Sequence, residues 1–276
     1  MLRLELKKVW KNRLTWIAFL LCTVIAVSAF FLDSFVLDYN EIGILPEHMT
    51  LLHDSGLGDM LLFLVLPILA SFPAACSWYE EQKNNAVSLM LARTGRKQYY
   101  GSKALAVVIS GFFMGVCPFL LNYAFCLTAQ PRQEMLSVSP AMTSSVYGAY
   151  FSTDIPFQLS FMLFPGLYMN APVLNMLLHI ALLGIWCAGM ALLTYTVSFF
   201  IHPNAVVVAV LPSLATAVLY ILLGAIGKRS WIAIDLFRLR SSFQIQNGTV
   251  VVLVTLILPF MIGAVLLRRK LAGEEL

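Results

Sequence analysis

The chain has 276 residues, of which 60% are hydrophobic and only 12% are charged, and its formal net charge is +4. Charged residues make up about a quarter of soluble domains, roughly twice the fraction in this chain. Together with a mean hydropathy of +0.83, this low fraction excludes an ordinary soluble protein and indicates a membrane protein. Since no polar stretch is long enough to fold as a separate soluble core, we predict one transmembrane domain over residues 1–276.

The first residues predict an amphipathic helix over 2–13 that lies at the cytoplasmic membrane surface, with its cations near anionic head groups. Its apolar residues share one side at helical spacing, whereas the cations gather elsewhere. The apolar set is Leu2, Leu6, Val9, Trp10 and Leu14, and the cations are Lys7, Lys8, Lys11 and Arg13. The apolar run that follows is too long for a cleaved signal peptide, so we expect it to remain as an anchor.

Six apolar segments are long enough to cross the membrane, which requires about 20 helical residues. They are residues 14–32, 60–79, 104–127, 173–200, 203–225 and 249–267. Because unpaired backbone groups are costly in lipid and no segment alternates like a barrel strand, the predicted fold is an all-α membrane protein with six transmembrane helices. The external loops are 33–59, 128–172 and 226–248. Residues 155–169, broken by prolines, are expected to be interfacial or re-entrant.

The distribution of charge predicts that both termini are cytoplasmic. Thirteen of the 18 basic residues then face the cytoplasm, as the positive-inside rule requires. They are Arg3, Lys7, Lys8, Lys11, Arg13, Lys83, Arg93, Arg96, Lys97, Lys103, Arg268, Arg269 and Lys270. The loop 226–248 goes against the rule, because it carries four cations. The loop 33–59 has six acidic residues and no Lys or Arg, which indicates either solvation of an external loop or a funnel for cations.

No catalytic residue, metal site or bound cofactor is predicted for this chain. Its cysteines and histidines lack the spacing of a metal or catalytic site, and residues 224–230 depart twice from the phosphate-loop pattern. Asn122, Asn175 and His179 lie in predicted spans, where polar residues are functional candidates unless neighbouring helices satisfy them. The substrate route is unknown: Phe112, Phe113, Met114 and Trp186 are candidates for its lining, although packing is the commoner role of such residues.

The loop 80–103, between the second and third spans, contains a second predicted short helix. Val87, Met90 and Leu91 fall at i, i+3 and i+4, which predicts one apolar stripe, and Gly95 ends the helix. Because a helix of two turns is not stable alone in water, this one requires a surface, either the bilayer or another protein.

The whole loop has a recognisable order: an acid, an apolar helix, a break, a basic pair and a lysine. These are Glu81, Val87 with "LMLA" at 89–92, Arg96 with Lys97, and Lys103. Together with the N-terminal helix and six spans, this layout resembles the permease subunits of type-2 ABC exporters, whose loop commonly reads E-x-x-x-G-T-L-x-L-L-L-A-T-P-x-S-R followed by a lysine. Asn85 and Thr94 depart from the pattern, which usually has Gly and Pro there.

The resemblance implies a cytoplasmic coupling helix that docks on a separately encoded ABC ATPase subunit, and a second permease chain, the same or homologous. ATP and Mg²⁺ would be bound by the ATPase. The implied coupling residues are Val87, Met90, Leu91, Arg93, Thr94, Gly95, Arg96 and Lys97. Glu80 and Glu81 are expected to pair with cations of the N-terminal helix, and Lys103 to contribute to the same interface. Anchoring of the loop's cations at anionic lipid is the alternative.

The implied function is ATP-driven export of an amphiphile, such as a lipid, a hydrophobic drug or a membrane-active peptide, across a plasma or bacterial inner membrane. No nucleic-acid partner is expected. The alternative is a secondary transporter, for which we would expect repeated halves, broken helices or a membrane-embedded ionisable pair. An intramembrane enzyme would require a catalytic constellation that the sequence does not offer.

Overall fold

The computed structural model describes residues 1–36, 50–52, 57–84, 86–129, 163–201, 204–227, 236–239 and 248–273, and their regular secondary structure is entirely helical. The helices are α1 (Leu2–Lys11), α2 (Arg13–Val36), α3 (Leu57–Lys83), α4 (Ala86–Thr94), α5 (Arg96–Ala129), α6 (Pro165–Asn170), α7 (Pro172–Val197), α8 (Ala205–Ala225) and α9 (Gly248–Gly273). Residues 155–162 of the predicted re-entrant segment and most of the acidic loop 33–59 lie outside the described residues.

Four of the described helices are long and apolar enough to cross a membrane. They comprise Arg96–Thr128, Pro172–Val197, Val206–Ala225 and Gly248–Ala272. A fifth is added if Leu2–Lys11 and Arg13–Ser28, which are bent by 66° at their junction, are taken as one span. The predicted all-helical membrane fold is thus supported. The predicted span 60–79 lies within α3, which is not among these helices, so the count of six remains a prediction.

The predicted N-terminal helix is present as α1 and ends at Lys11 instead of residue 13. Asn12 has an extended backbone (φ −70°, ψ 125°), which interrupts the helix. Its side-chain oxygen then accepts a hydrogen bond from the Leu14 N–H at 2.9 Å, as an N-cap does at the start of α2. The 66° bend follows from this interruption and turns α1 away from the direction of α2.

The helix bundle has two ends that differ in composition. At the first, which we call the α1 end, aromatic residues of α3, α5 and α7 form a cluster against which Met1, Leu267 and Leu271 pack. The N-terminal residue and the end of the last described helix therefore pack on the same cluster. At the other, the far end, one hydrophobic cluster contains Leu52, Leu163 and Phe237, one residue from each of the three predicted external loops.

The helix α7 lies at the centre of the bundle. It is buried along most of its length and packs against α3, α5 and α9. By contrast, much of the apolar surface of α8 is exposed, including Leu214 and Ile221. A helix that is apolar all round must be covered by lipid or by protein, so α7 belongs to the core of this chain and α8 to its periphery.

Candidate functional site

The short predicted helix is present as α4 and is connected closely to its neighbours. Gly95 has a φ of 75° and its N–H donates to the Leu91 carbonyl at 3.1 Å. A left-handed glycine of this kind commonly ends a helix, so the prediction that Gly95 terminates α4 is confirmed. Because α5 begins at the next residue, Arg96, a displacement of α4 would act directly on α5.

One face of α4 packs against the protein itself. Val87, Met90 and Leu91 are partly buried against the aromatic cluster of the α1 end. The Thr94 hydroxyl donates to the Met90 carbonyl at 2.8 Å and is used within the helix. The predicted apolar stripe therefore already has a surface in the same chain.

The opposite face of α4 is exposed. Its largest apolar residue is Leu89, with 66% of its surface exposed. Arg93 lies on the exposed side as well, and Arg96 and Lys97 are exposed at the start of α5. The surface that a partner could contact is thus an apolar residue with three cations close by in the chain.

A buried charged cluster lies at the end of α3, next to α4, and Glu81 is at its centre. The Glu81 carboxylate accepts hydrogen bonds from the Lys8 ammonium at 2.9 Å, from the Tyr99 hydroxyl and from the Lys103 ammonium. Lys8 also donates to Glu5 at 2.8 Å. Glu5 is 1% exposed and the Lys103 side chain 2% exposed. The cluster therefore joins α1, α3 and α5 by charge-assisted hydrogen bonds, which are stronger than neutral ones.

Aromatic rings surround the Lys103 ammonium and extend the cluster to α7. The ammonium lies 5.4 Å from the centre of the Trp78 ring and 5.8 Å from that of Tyr99, within the range of cation–π attraction. The Trp78 ring in turn contacts the ring of Tyr195, with centres 6.0 Å apart, and that of Phe199, with centres 4.9 Å apart. Four helices consequently meet at this one site.

The expected pairing of the two glutamates with the N-terminal helix is seen for Glu81, which pairs with Lys8. Glu80 instead accepts a hydrogen bond from the Asn12 amide at 3.2 Å on the exposed surface. Sequence reasoning missed Glu5, although an acid three residues before Lys8 in an amphipathic helix is a spacing at which side chains meet.

Comparison of the chain with family models, curated proteins and solved structures found no match. The charged cluster and α4 lie together at the α1 end, and the cluster connects α4's two neighbours, α3 and α5, to α1. What this arrangement can do is transmit a force applied to α4 into the bundle as a whole.

The other polar candidates lie nearer the far end. The Asn122 amide donates to the Ala26 carbonyl at 2.9 Å and its oxygen accepts from the Leu51 N–H at 3.2 Å. Asn122 is therefore a hydrogen-bonded structural residue, the alternative that the sequence left open. His179 Nδ1 lies 3.0 Å from the Phe237 carbonyl, whereas Asn175 Oδ1 is buried without a hydrogen-bond partner among the described residues.

The four residues named for a substrate route fall into two pairs, of which Phe112 and Phe113 contact each other with ring centres 6.1 Å apart. Met114 and Trp186 are buried in the core cluster. Phe113 is exposed at the surface of α5 and contacts Trp10, with ring centres 6.3 Å apart. These positions favour packing roles over a shared lining.

We expect the stability of the charged cluster to fall at low pH. Burial tends to raise the pKa of Glu81, but the nearby Lys103 charge and the hydrogen bonds from Lys103, Tyr99 and Lys8 outweigh it and lower the pKa below its ordinary value of 4.5. A group with a lowered folded-state pKa stabilises the fold fully above the unfolded pKa, and this contribution is lost as pH falls through the folded pKa. Thermal unfolding of the detergent-solubilised chain should therefore lose stability below about pH 4.5.

The Glu81→Gln variant is the control, because glutamine does not titrate. Its overall stability should be lower, but the part of the acid-induced loss that comes from Glu81 should be absent. Identical acid profiles for the two proteins would exclude Glu81 as the titrating group.

Proposed function

We propose that the chain is the membrane-spanning permease subunit of an ATP-driven exporter and that α4 is its coupling helix. The observation that supports the proposal is that α4 is held firmly by contacts with the rest of the chain. Its inner face packs on the α1 end, it is followed directly by α5, and the Glu81 cluster ties α1, α3 and α5 together beside it. A short helix held in this way suits a site where a motor protein acts on a membrane domain.

The outer face of α4 supports a partner of complementary chemistry. An exposed leucine with three exposed cations close by in the chain fits an apolar pocket with an acidic rim, the composition expected at the centre and edge of a specific protein interface. Leu89 would enter the pocket, while Arg93, Arg96 and Lys97 would face the acids. As the family resemblance implies, the partner would be a separate ABC ATPase subunit that binds ATP and Mg²⁺.

The topology follows from the same assignment. With α4 in the cytoplasm, the α1 end is cytoplasmic and the far end is external, in agreement with the positive-inside rule for α1, α4 and the end of α9. Six spans then alternate in direction, with both terminal segments inside a plasma or bacterial inner membrane. The exposed apolar surface of α8 would contact lipid or a second permease chain, and the substrate would be an amphiphile.

Purification of the chain from its native membrane tests the proposal. We expect a soluble ATPase to copurify in stoichiometric amount, and Leu89→Glu to weaken its binding by about tenfold or more, because a charge in place of an apolar anchor disrupts the centre of an interface. Leu89 is a better choice than the half-buried Met90, since a glutamate at 90 would also disturb the chain's own packing.

Gln98→Glu is the matched control, because Gln98 is exposed at the same end and the variant adds the same charge without removing an apolar side chain. Copurification should be retained in this variant. If no ATPase copurifies with the unmodified chain, or if Leu89→Glu and Gln98→Glu behave alike, the proposal fails.

One observation favours a second candidate, a secondary transporter. Glu81 and Lys103 form the buried ionisable pair that such a protein could use to carry a coupling ion, and sequence reasoning did not find this pair. The pair lies beside α4 at one end of the bundle, however, and it is held by Lys8 and Tyr99, which suits a structural bond. The purification separates the two candidates, because a secondary transporter has no stoichiometric ATPase.

A further inference from the structure

Two buried hydrogen-bond acceptors lie one turn apart on α7. Asn175 is 2% exposed and His179 is fully buried. Residues at i and i+4 are neighbours on the same helix face. Asn175 Oδ1 and His179 Nε2 have no hydrogen-bond partner among the residues that the structure describes. Buried polar groups are nearly always paired in folded proteins, so each unpaired one requires an explanation.

The hydrogen bond at the other ring nitrogen determines what His179 offers at Nε2. Its Nδ1 lies 3.0 Å from the Phe237 carbonyl oxygen, which can only accept a hydrogen bond. Nδ1 must therefore carry the hydrogen, and in the neutral ring Nε2 then has a free lone pair. Asn175 Oδ1 is an acceptor as well. Each of the two acceptors therefore lacks a donor hydrogen, and one O–H group placed between them can serve both through a three-centre hydrogen bond.

Segments of the chain from all three predicted external loops lie over this face of α7. Thr50 contacts the Met176 sulfur at 3.9 Å, and the Phe164 ring lies edge-on to His179 with centres 6.1 Å apart. The Leu239 N–H donates to the Leu52 carbonyl at 2.9 Å, so the first and third of these segments are joined. The two acceptors therefore lie near the far end of the bundle, next to segments of all three loops.

We propose that Asn175 and His179 bind the neutral hydroxyl group of an amphiphile. Two acceptors do not suit an anion. A cation is also disfavoured, because moving a full charge into an apolar interior costs far more than moving a neutral polar group. A neutral O–H group satisfies an acceptor at a smaller desolvation cost. The inference rests on the proposed export of an amphiphile and specifies its head group. A water molecule, which has two O–H donors where an alcohol has one, is distinguished by the experiment.

Direct binding of a matched pair of probes tests the proposal. The chain alone is reconstituted in phosphatidylcholine nanodiscs, and saturable binding of radiolabelled dodecanol and of dodecyl methyl ether, which lacks the O–H donor, is measured above partition into empty nanodiscs. We expect dodecanol to bind and the ether to bind about tenfold more weakly, as loss of one buried hydrogen bond predicts.

Two variants remove one acceptor each. Asn175→Leu keeps the side-chain size and removes Oδ1. His179→Asn removes Nε2, and its amide N–H takes the place of the Nδ1–H that donates to the Phe237 carbonyl. Each should weaken dodecanol binding by about threefold, less than the loss seen with the ether because one acceptor remains, provided that thermal unfolding shows the variant to be folded. Ser213→Ala, which removes a buried unpartnered hydroxyl from α8, should leave binding unchanged.

Four results would overturn the proposal. Two concern the probes: equal binding of alcohol and ether, or tighter binding of a third probe, the cation dodecylammonium, than of dodecanol. The others are unchanged binding of dodecanol in both folded variants, and no saturable binding of dodecanol to the unmodified chain, which would leave water as the donor. The experiment contains no ATPase. Its failure therefore leaves the exporter proposal intact, and failure of the copurification leaves this measurement interpretable.

Discussion

Lys103→Met is expected to lower the free energy of unfolding by about 3–5 kcal/mol, the cost of removing one partner from a buried ion pair. Methionine fills a similar volume but gives Glu81 neither a positive charge nor a hydrogen-bond donor. The Glu81 carboxylate would remain buried beside Trp78 and Tyr99. Because Lys8 at 2.9 Å and the Tyr99 hydroxyl still bind it, we expect a loss toward the lower end of this range. Unfolding in a denaturing-detergent titration measures it.

The double variant Glu81→Gln with Lys103→Met identifies the cause. It removes both charges, and replacement of a whole buried pair is often nearly neutral, so we expect it to be more stable than Lys103→Met alone. Lys83→Met controls for the loss of a lysine at the same end, because Lys83 is exposed and should change stability by less than about 0.5 kcal/mol. If the double variant is no more stable than the single one, then the loss arises from packing and not from the unpaired charge.

The energetic coupling between Glu81 and Lys103 bears on the proposed function. A permease that is moved by a partner requires the helices next to the coupling helix to move as one body. The single Glu81 carboxylate accepts charge-assisted hydrogen bonds from Lys8 and Lys103, and it thereby connects three helices. A variant that breaks the cluster should therefore lose transmission of force together with stability, whereas Leu89→Glu should lose the partner and keep the fold.

The sequence predicted the helices better than their ends. Apolar segments long enough to span a membrane mark α2, α5, α7, α8 and α9, because burial in lipid requires them to be helical. The start of α5 at Arg96, well before residue 104, could not be read from hydropathy. Tyr99, Tyr100 and Lys103 extend the helix and are buried by contacts with other helices, which a count of apolar residues does not detect.

The site was predicted only in part. The acids at the end of α3 were expected to pair with the N-terminal helix, but the choice of Glu81 over Glu80 depends on which side of α3 faces α1. The stripe on α4 showed that the helix needs a surface, and periodicity cannot tell whether that surface belongs to the same chain. The contact between His179 and Phe237 joins residues far apart in sequence, and no local pattern indicates it.

Gly184→Ala is expected to lower the free energy of unfolding by about 1–3 kcal/mol, the usual cost of inserting a methyl group into a well-packed core. A Cβ atom at 184 would lie 2.3 Å from Val116 Cγ2 and 3.0 Å from Phe112 Cε2. Gly115 faces the same contact, since its own Cβ would lie 3.0 Å from the Gly184 Cα. Small residues allow membrane helices to approach closely, so α5 and α7 would have to separate.

Two further variants make this expectation specific to the contact between α5 and α7. Gly101→Ala, also in α5, has no atom within 4 Å of its new Cβ and should be neutral or stabilising by up to about 1 kcal/mol, because alanine is the better helix former. Val116→Ala combined with Gly184→Ala removes the clashing methyl group and should recover part of the loss, a coupling that a double-mutant cycle in detergent measures. Equal stability of the Gly184 and Gly101 variants would mean that α5 and α7 are not in close contact there. Because α7 is the central helix, such a result would also count against the transmission of movement from α4 through α5 to α7.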